Sequence, residues 1–413
     1  MRIVSGREAA ATVARLAARG TEFAALEPRV QKIIDDVRCE GDRALRQYAQ
    51  QWDGLGAGQP LRVPQKEMAA AWKALTPQLR KSLGQAAQNI RRFCEWQKLR
   101  TWTRSRRGLS LGQLVRPLES VGCYVPGGRY PLVSTVLMTV IPAQVAGVKN
   151  IRVVSPKPSP EMLGAAAMLG ASEFYRVGGA QAIAALGYGT KSIARVDKIV
   201  GPGNAYVTAA KKVVSFDCAI DFLAGPTEAV IVSDSGNPDF IAADLVAQAE
   251  HDVDALSVFI TTSRRFAGAV EKSMSRLAQG NRIAQESLRE RGVILVAASR
   301  TQARVWANRL APEHITVSEE DLPFIQNAGS VFVGDYSAQA AGDYASGPNH
   351  VLPTAGQARF RGGLSVLDFV KVITVQRLSN AGLRSIAPTI ECLAAAEGLP
   401  GHGNSIRVRC ESA

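Results

Sequence analysis

The helical stretch "IAADLVAQAEHD", residues 241–252, ends in polar side chains that could bind a metal ion. Gln248 and His251 are three residues apart, so their side chains share one face of the helix. Imidazole, carboxylate and amide oxygen together suit Zn²⁺ or another divalent cation. One helix supplies two ligands, and Asp343 in "GDYASGPNH" and His402 are candidates for the others. From spacing alone, a metal site and a purely structural role are both open.

A second pair of chemically useful residues lies in "APEHI", where Glu313 precedes His314 at the start of a predicted strand. Successive side chains of a strand point to opposite faces, so an acid and a histidine here can accept protons on two sides of the chain. The alternative is a surface acid beside a packed histidine. The four histidines of the sequence all lie at element ends or in Gly/Pro loops; they are His251, His314, His350 and His402. An α/β scaffold often builds its sites in such loops.

Three glycine turns, "VPGGRY", "VGGAQA" and "GPGNAY", each join a predicted strand to a predicted helix. The N-terminus of a helix exposes N–H groups and a positive dipole end, which suits a phosphate group. None of the turns matches GxGxxG, so the usual dinucleotide fingerprint is absent from the sequence. A nucleotide site and tight turns that need glycine for backbone reasons are both open.

The elements that must position these residues form an α/β pattern. Residues 25–100 are predicted to be mainly helical. From about residue 120, strands alternate with helices, as in "NIRVVSP" before "EMLGAAAMLGA". A second series of short buried strands follows, from "AVIVSD" to "SVFVGD". This alternation predicts two doubly wound, incomplete Rossmann-like domains with parallel sheets, plus small extended N- and C-terminal segments. The tail after residue 353 is too short for a strong core, so we expect it to pack on another body or another subunit.

Composition limits the class of protein. The formal charge is +13, from 49 basic and 36 acidic residues, and the densest basic run is residues 91–107. The run could bind nucleic acid, but no nucleic-acid motif accompanies it. The favoured interpretation is a solvated segment whose aromatic side chains (Phe93, Trp96 and Trp102) face the core. The six scattered cysteines argue against a disulfide scaffold and fit a reducing cytoplasm. No apolar run predicts a membrane span or a signal peptide.

Nine segments in order resemble the histidinol dehydrogenase family and together cover roughly residues 20–405. They are "GCYVPGGRYP", "RVGGAQAIAALGYGT", "DKIVGPGNAYV", "AGPTE", "DLVAQAEHD", "APEHI", "GDYASGPNHVLPT", "GGLSVLDF" and "AEGLPGH". The resemblance implies oxidation of L-histidinol through L-histidinal to L-histidine by two NAD⁺, with one Zn²⁺ per subunit. These are the last steps of histidine biosynthesis. Mn²⁺ or Co²⁺ as the bound metal stays open.

The resemblance also implies roles for individual positions. Glu313 and His314 would be catalytic: His314 takes the proton of the alcohol, and Glu313 activates water to attack the aldehyde. The implied metal ligands are Gln248, His251, Asp343 and His402, and the implied NAD-binding residues are Tyr124, Gln181 and Asn204. The substrate would contact Thr227, His350 and Glu397 as well as His314 and the four metal ligands. The metal would anchor the imidazole and amine of the substrate.

The resulting domain prediction has four parts. Residues 1–19 form an N-terminal segment, and residues 20–119 with 229–353 form a first α/β domain that carries the metal-binding and catalytic residues. Residues 120–228 form a second α/β domain with the NAD-binding turns. Residues 354–413 form a dimerisation tail, and family resemblance implies a homodimer in which Glu397 and His402 complete the site of the other subunit.

One position departs from the family pattern. Position 227 is Thr where many members have Ser, so the hydroxyl is kept but an extra methyl group enters the pocket. Three alternatives remain from the sequence: a related metal- and NAD-dependent dehydrogenase of another alcohol, such as a sulfonated diol; a nucleic-acid-binding protein; and a catalytically inactive relative. The intact Glu313, His314 and four candidate ligands argue against the last. No function is assigned to the excess of basic over acidic residues.

Overall fold

A computed structural model describes residues 1–20, 25–127 and 131–411 of the chain. The chain divides into two compact units. The larger unit comprises Met1–Gln97 and Glu119–Phe369, and the smaller unit comprises Lys98–Leu118 and the chain from Val370 onward. Each unit is described by itself below.

The larger unit begins with a short strand and five helices. Their bounds are β1 (Arg2–Ser5), α1 (Gly6–Ala17), α2 (Glu27–Glu40), α3 (Asp42–Trp52), α4 (Gln65–Ala74) and α5 (Pro77–Trp96). Gly41 separates α2 from α3 with a φ of 56°, a conformation that favours glycine. The Thr76 hydroxyl accepts the Leu79 N–H at 3.2 Å and so caps α5.

After β2 (Trp102–Arg106) and β3 (Leu109–Pro117), which belong to the smaller unit, the chain builds a parallel sheet. Its elements in chain order are β4 (Ser120–Tyr124), α6 (Val133–Ala146), β5 (Asn150–Val154), α7 (Pro160–Met168), β6 (Glu173–Tyr175), α8 (Gly179–Tyr188), β7 (Lys198–Val200), α9 (Ala205–Val214) and β8 (Ala219–Ile220). Within the described residues this is a five-stranded sheet in the order β6-β5-β4-β7-β8, with every pair parallel.

A second parallel sheet follows. Its elements are β9 (Glu228–Val232), α10 (Pro238–Ala249), β10 (Leu256–Thr261), α11 (Arg264–Leu277), α12 (Arg282–Glu290), β11 (Val293–Val296), α13 (Arg300–Leu310), β12 (His314–Val317), β13 (Ser330–Val333) and α14 (Gln339–Tyr344). Together with β1, these strands form a six-stranded sheet over the described ranges, in the order β1-β11-β10-β9-β12-β13. Strands β9 and β10 are buried along their whole length, because helices cover both faces.

The smaller unit contains a three-stranded antiparallel sheet and two helices in its described part. Strand β14 (Val370–Leu378) pairs with β3 from Val370 opposite Pro117 to Leu378 opposite Leu109, and β3 pairs with β2. Helices α15 (Asn380–Ala396) and α16 (Pro400–Glu411) follow and pack on each other. Gly382 lies so close to Gly108 that a Cβ would meet its carbonyl oxygen at 2.3 Å.

The fold class predicted from the sequence, α/β with parallel sheets, is confirmed. The domain boundaries stay a prediction, and two contacts differ from the predicted grouping. Strand β1, from the predicted N-terminal segment, pairs with β11 of the six-stranded sheet. Helix α2 packs its apolar side on α8 and α9, beside the five-stranded sheet, rather than with residues 229–353.

The expectation that the aromatic residues of the basic run face the core is wrong for two of them. Trp96 is 74% exposed and Trp102 is 46% exposed. Trp102 lies on β2, whose five residues are all exposed, so no core is available to it in the described part of the smaller unit. No helix among the residues described has the length and apolar character needed to cross a membrane.

Candidate active site

The acid and histidine of "APEHI" lie buried at the amino-terminal edge of the six-stranded sheet. Glu313 is 7% exposed and His314 is 3% exposed. Strand β12 begins at His314, directly beside the start of β9. At that edge the Thr227 hydroxyl donates to Glu313 Oε2 at 2.6 Å, and the backbone N–H of Glu228 donates to the same oxygen at 2.9 Å. The start of β9 therefore fixes the carboxylate of Glu313.

His314 lies between two carboxylates. Its Nε2 is 3.3 Å from Asp343 Oδ1, and its Nδ1 is 3.6 Å from Glu313 Oε2, which is beyond hydrogen-bond distance. Burial alone would lower the pKa of His314, but the negative charges of Glu313 and Asp343 and the hydrogen bond to Asp343 raise it to about 10. In this environment the imidazole is thus protonated near neutral pH, and it can accept a substrate proton only after it has released its own.

The two helices that carry candidate metal ligands meet beside this pair. Gln248, at the end of α10, donates from Nε2 to Asp343 Oδ2 at 3.3 Å, and its Oε1 is 3.2 Å from the Thr227 hydroxyl. His251 follows the end of α10. Burial raises the pKa of Asp343, but the hydrogen bond and charge of His314 outweigh this effect and lower it below its ordinary value. A cavity of about 510 Å³ opens beside His251 and is lined by apolar side chains that include Leu83 and Leu137.

The donor set fits a divalent cation only in part. Gln248, His251 and Asp343 offer an amide oxygen, an imidazole and a carboxylate, which are the ligand types predicted. No group of three or more His, Cys, Asp and Glu side chains in the described ranges is close enough to hold a metal ion. Of the predicted ligands, the larger unit holds two of these types, His251 and Asp343, beside Gln248, so the four-ligand set stays a prediction. The remaining predicted ligand, His402, and the predicted substrate residue Glu397 are exposed in the smaller unit.

His350 connects the candidate site to the other sheet. Its Nδ1 is 2.7 Å from the Asp343 carbonyl oxygen, and its Nε2 is 3.2 Å from the hydroxyl of Thr135 on α6. Burial lowers the pKa of His350, so a neutral ring is favoured at that position. One histidine thereby joins the loop after α14 to the first helix after β4.

The three predicted NAD-binding residues line a single cavity of about 920 Å³ at the carboxyl edge of the five-stranded sheet. Tyr124 ends β4, and its phenol oxygen accepts the Gly179 N–H at 3.1 Å. Asn204 caps α9 by accepting the Val207 N–H at 3.1 Å. The Oε1 of Gln181 is buried without a hydrogen-bond partner in the described structure, so it can accept a donor from a ligand.

This cavity has the position that a doubly wound sheet normally gives to a nucleotide. It lies where β4, β5, β6 and β7 end and where the N-termini of α8 and α9 begin. All three glycine turns border it: "VPGGRY" does so through Pro126 and Gly127, and "VGGAQA" and "GPGNAY" do so through residues that include Gln181 and Asn204. The turn "VPGGRY" lies outside the described residues from Gly128 onward.

Two buried groups were not identified from the sequence. Asp53 accepts the Gly178 N–H at 2.8 Å and Gln181 Nε2 at 3.1 Å at the edge of the large cavity. Arg19 donates two hydrogen bonds of 2.6 Å each to the buried carboxylate of Glu228. Asp53 follows a predicted helix without any motif. Arg19 and Glu228 are 209 residues apart, so no local pattern could have indicated their contact.

A family profile, curated relatives and a solved structure similar to this chain are described as histidinol dehydrogenase. The family profile described as histidinol dehydrogenase matches residues 16–410. The chain is 47% identical over 395 residues to the histidinol dehydrogenase of Methanothermobacter thermautotrophicus, covering 92% of each chain. It is 46% identical over 406 residues to that of Thermus thermophilus, covering 96% of this chain and 98% of the relative. A crystal structure of histidinol dehydrogenase from Elizabethkingia anophelis matches with a TM-score of 0.95 and 36% identity, over 100% of this chain and 98% of that one.

Proposed function

We propose, because this chain belongs to the histidinol dehydrogenase family, that it oxidises L-histidinol through L-histidinal to L-histidine with two NAD⁺, in the last steps of histidine biosynthesis. The chain is an oxidoreductase of that family. The observation that carries the proposal is the buried cluster in which the Thr227 hydroxyl contacts Glu313 and the ring of His314 contacts Asp343. The chemistry of an alcohol oxidation requires a proton acceptor at such a place.

In the proposed mechanism the chain's own residues move protons and hold the reactants. His314 takes the proton of the substrate hydroxyl in the first oxidation. Glu313, held by the Thr227 hydroxyl and the Glu228 N–H, then takes a proton from the water that adds to the aldehyde. In the second oxidation, the hydrate gives hydride to the second NAD⁺ and a hydroxyl proton to His314, which has released its first proton to solvent. The two buried bases can serve the two steps because they are adjacent in sequence and separately oriented.

The proposed cofactors have residues that suit them. Gln248, His251 and Asp343, with His402, would hold Zn²⁺, which when bound supplies a fixed positive anchoring point for the imidazole and amine of the substrate. Tyr124, Gln181 and Asn204 would hold NAD⁺, the hydride acceptor, in the cavity of about 920 Å³. His350 and Thr227 would border the bound substrate on the larger unit, and Glu397 would do so from the smaller unit.

The homodimer and the cellular location are part of the proposal. In the smaller unit, Ile373 on β14 and Leu393 on α15 are 44% and 59% exposed, so apolar side chains are available for a partner subunit. If Glu397 and His402 complete the partner's site, mixing two inactive variants, His251→Ala and His402→Ala, restores part of the activity through mixed dimers. No recovery would contradict the shared site. The six unpaired cysteines support a reducing compartment, the cytoplasm.

The first test is NADH production from L-histidinol and NAD⁺ by the zinc-loaded protein. We expect two NADH for each histidinol and loss of the activity in His251→Ala. Asp252→Asn is the matched control, because Asp252 is exposed beside His251 and an asparagine keeps the acceptor for the Asp254 N–H. A folded, metal-bound parent that produces no NADH from histidinol would refute the proposal.

The comparisons do not favour the alternative of a dehydrogenase for another alcohol on the same scaffold. The relatives reported above share the name histidinol dehydrogenase over more than nine-tenths of the chain. A sulfonated diol is therefore a negative control substrate in the same assay.

A further inference from the structure

A fully buried ion pair lies behind the glycine turn "GPGN", residues 201–204. Lys211 on α9 and Asp221 after β8 form it, and their side chains are 1% and 0% exposed. Neither residue lines the large cavity, and neither takes part in the proposed chemistry. Two charges removed from water carry a large desolvation cost, and an apolar pair of similar volume is often as stable. The question is therefore what this pair does that an apolar pair would not.

The pair holds both hydrogen-bonding groups of one residue, Gly201. The Gly201 N–H donates to Asp221 Oδ2 at 2.7 Å, and Lys211 Nζ donates to the Gly201 carbonyl oxygen at 3.0 Å. The other carboxylate oxygen of Asp221 accepts the Phe222 N–H at 2.6 Å. Hydrogen bonds to charged partners are shorter and about twice as strong as neutral ones. Gly201 is thus fixed from two sides by charged groups.

The position of Gly201 sets two walls of the cavity. Its φ of +112° favours glycine, and a Cβ there would lie 2.1 Å from the carbonyl oxygen of Tyr124. The turn therefore packs directly against the backbone of Tyr124. Three residues later, Asn204 caps α9 and reaches the same cavity. A shift of Gly201 would move both residues relative to a bound dinucleotide.

We propose that Lys211 and Asp221 are positioning residues of the dinucleotide site, which hold the turn 201–204 in the conformation that binds NAD. The inference rests on the proposed function, since it takes NAD as the occupant of the cavity. The pair acts on the cofactor through Gly201, and it leaves the cluster of Glu313, His314 and Asp343 at the other sheet unaffected. Its loss should thus weaken NAD binding selectively.

The main test variant replaces the pair without leaving a lone buried charge. Lys211→Met/Asp221→Leu removes both charges at similar volume, and Asp221→Asn is a second variant that keeps one carbonyl acceptor for Gly201. The matched control is Arg152→Met/Glu173→Leu, which removes an ion pair of 2.9 Å between β5 and β6 on the same sheet. For each folded variant, we would measure the Kd of NADH by fluorescence titration, the KM values of NAD and histidinol, kcat, and amide exchange in residues 198–207.

We expect the double variant to raise the Kd of NADH and the KM of NAD by about tenfold, since a turn that loses two charged hydrogen bonds binds less well. The KM of histidinol should be unchanged, and amide exchange at 198–207 should be faster. The control should leave all of these values unchanged. Asp221→Asn should show the same pattern with a smaller change.

Two outcomes would overturn the inference, and they differ. If the parent binds NADH and the folded variants bind it equally well, with unchanged exchange at 198–207, the positioning role is wrong and the proposed function stands. If the double variant does not fold, Asp221→Asn decides in the same way. If the parent itself binds no NADH, both the positioning role and the NAD-dependent function are wrong.

Discussion

Arg19→Met tests whether a remote arginine supports the catalytic edge of the six-stranded sheet. Arg19 binds both oxygens of Glu228 at 2.6 Å, and the two side chains are 17% and 5% exposed. Removing one partner of a buried ion pair costs about 3–5 kcal/mol. Glu228 keeps one further partner, the Ala355 N–H at 2.9 Å. We therefore expect the lower end, a loss of about 3 kcal/mol in the free energy of unfolding.

The loss in the free energy of unfolding should also depend on pH, and its direction follows from the pKa of Glu228. Burial raises the pKa of Glu228 above its ordinary value of 4.5, although Arg19 opposes this effect. Without Arg19 the pKa in the folded state rises further, so the folded variant holds a proton that the unfolded chain has released. A raised folded pKa gives stability that is present below the unfolded pKa and is lost as the pH rises through the folded one. The variant should lose stability relative to the parent as the pH increases from about 4.5.

Urea unfolding of parent and variant at several pH values measures both effects. Arg15→Met is the matched control, since Arg15 is an exposed arginine on α1. Glu228→Gln and the double variant complete a cycle that isolates the pair. A loss below about 0.5 kcal/mol, the size of an exposed ion pair, would refute the reasoning. A loss that is independent of pH would show that the charge of Glu228 is not the cause.

Three further perturbations have expected outcomes. Thr227→Val removes the hydroxyl that donates to Glu313 at 2.6 Å. It should lower kcat/KM by about 10–100-fold, which is the effect of losing one hydrogen bond to a charged group. Thr227→Ser keeps the hydroxyl and should retain most of the activity. Gly201→Ala should raise the KM of NAD more than that of histidinol, because the new methyl group meets the Tyr124 carbonyl oxygen; equal changes in both would contradict this. Removal of metal by a chelator should abolish NADH production and lower the thermal midpoint, and zinc should restore both; activity that survives in fully metal-free protein would exclude the proposed metal role.

The strands of the two parallel sheets could be predicted because they are buried on both faces. "LSVFITT" and "AVIVSD" are nearly continuous apolar runs between turn residues, and they form β10 and β9. The antiparallel sheet of the smaller unit was not predicted. Strand β2 is exposed throughout and rich in arginine, so it lacks the apolar alternation of a half-buried strand. Strand β1 is four residues long and pairs with β11 across most of the chain, which local periodicity cannot show.

Some residues of the candidate site were named from the sequence, and others were found only in the structure. Helical spacing identified Gln248 and His251 as a pair and left Asp343 and His402 as candidates. The resemblance to a family implied them as ligands, and the structure brings Asp343 to Gln248 at 3.3 Å. The same resemblance selected Tyr124, Gln181 and Asn204, which line one cavity. Arg19, Glu228 and Asp53 were missed, because their contacts join distant segments and each has an ordinary local sequence. The roles of all these residues stay predictions until the experiments above are done.

The division of labour between the two sheets has an evolutionary consequence. The glycine turns proposed to bind the cofactor lie at the carboxyl edge of the five-stranded sheet, and the acid–histidine cluster lies at the amino edge of the six-stranded sheet. The two sets of side chains stand on different sheets, which the contact between His350 and Thr135 joins, so substitutions in the turns that spare this contact need not repack the cluster. A lineage can thus change the turns proposed to bind the dinucleotide while Glu313 and His314 are inherited unchanged.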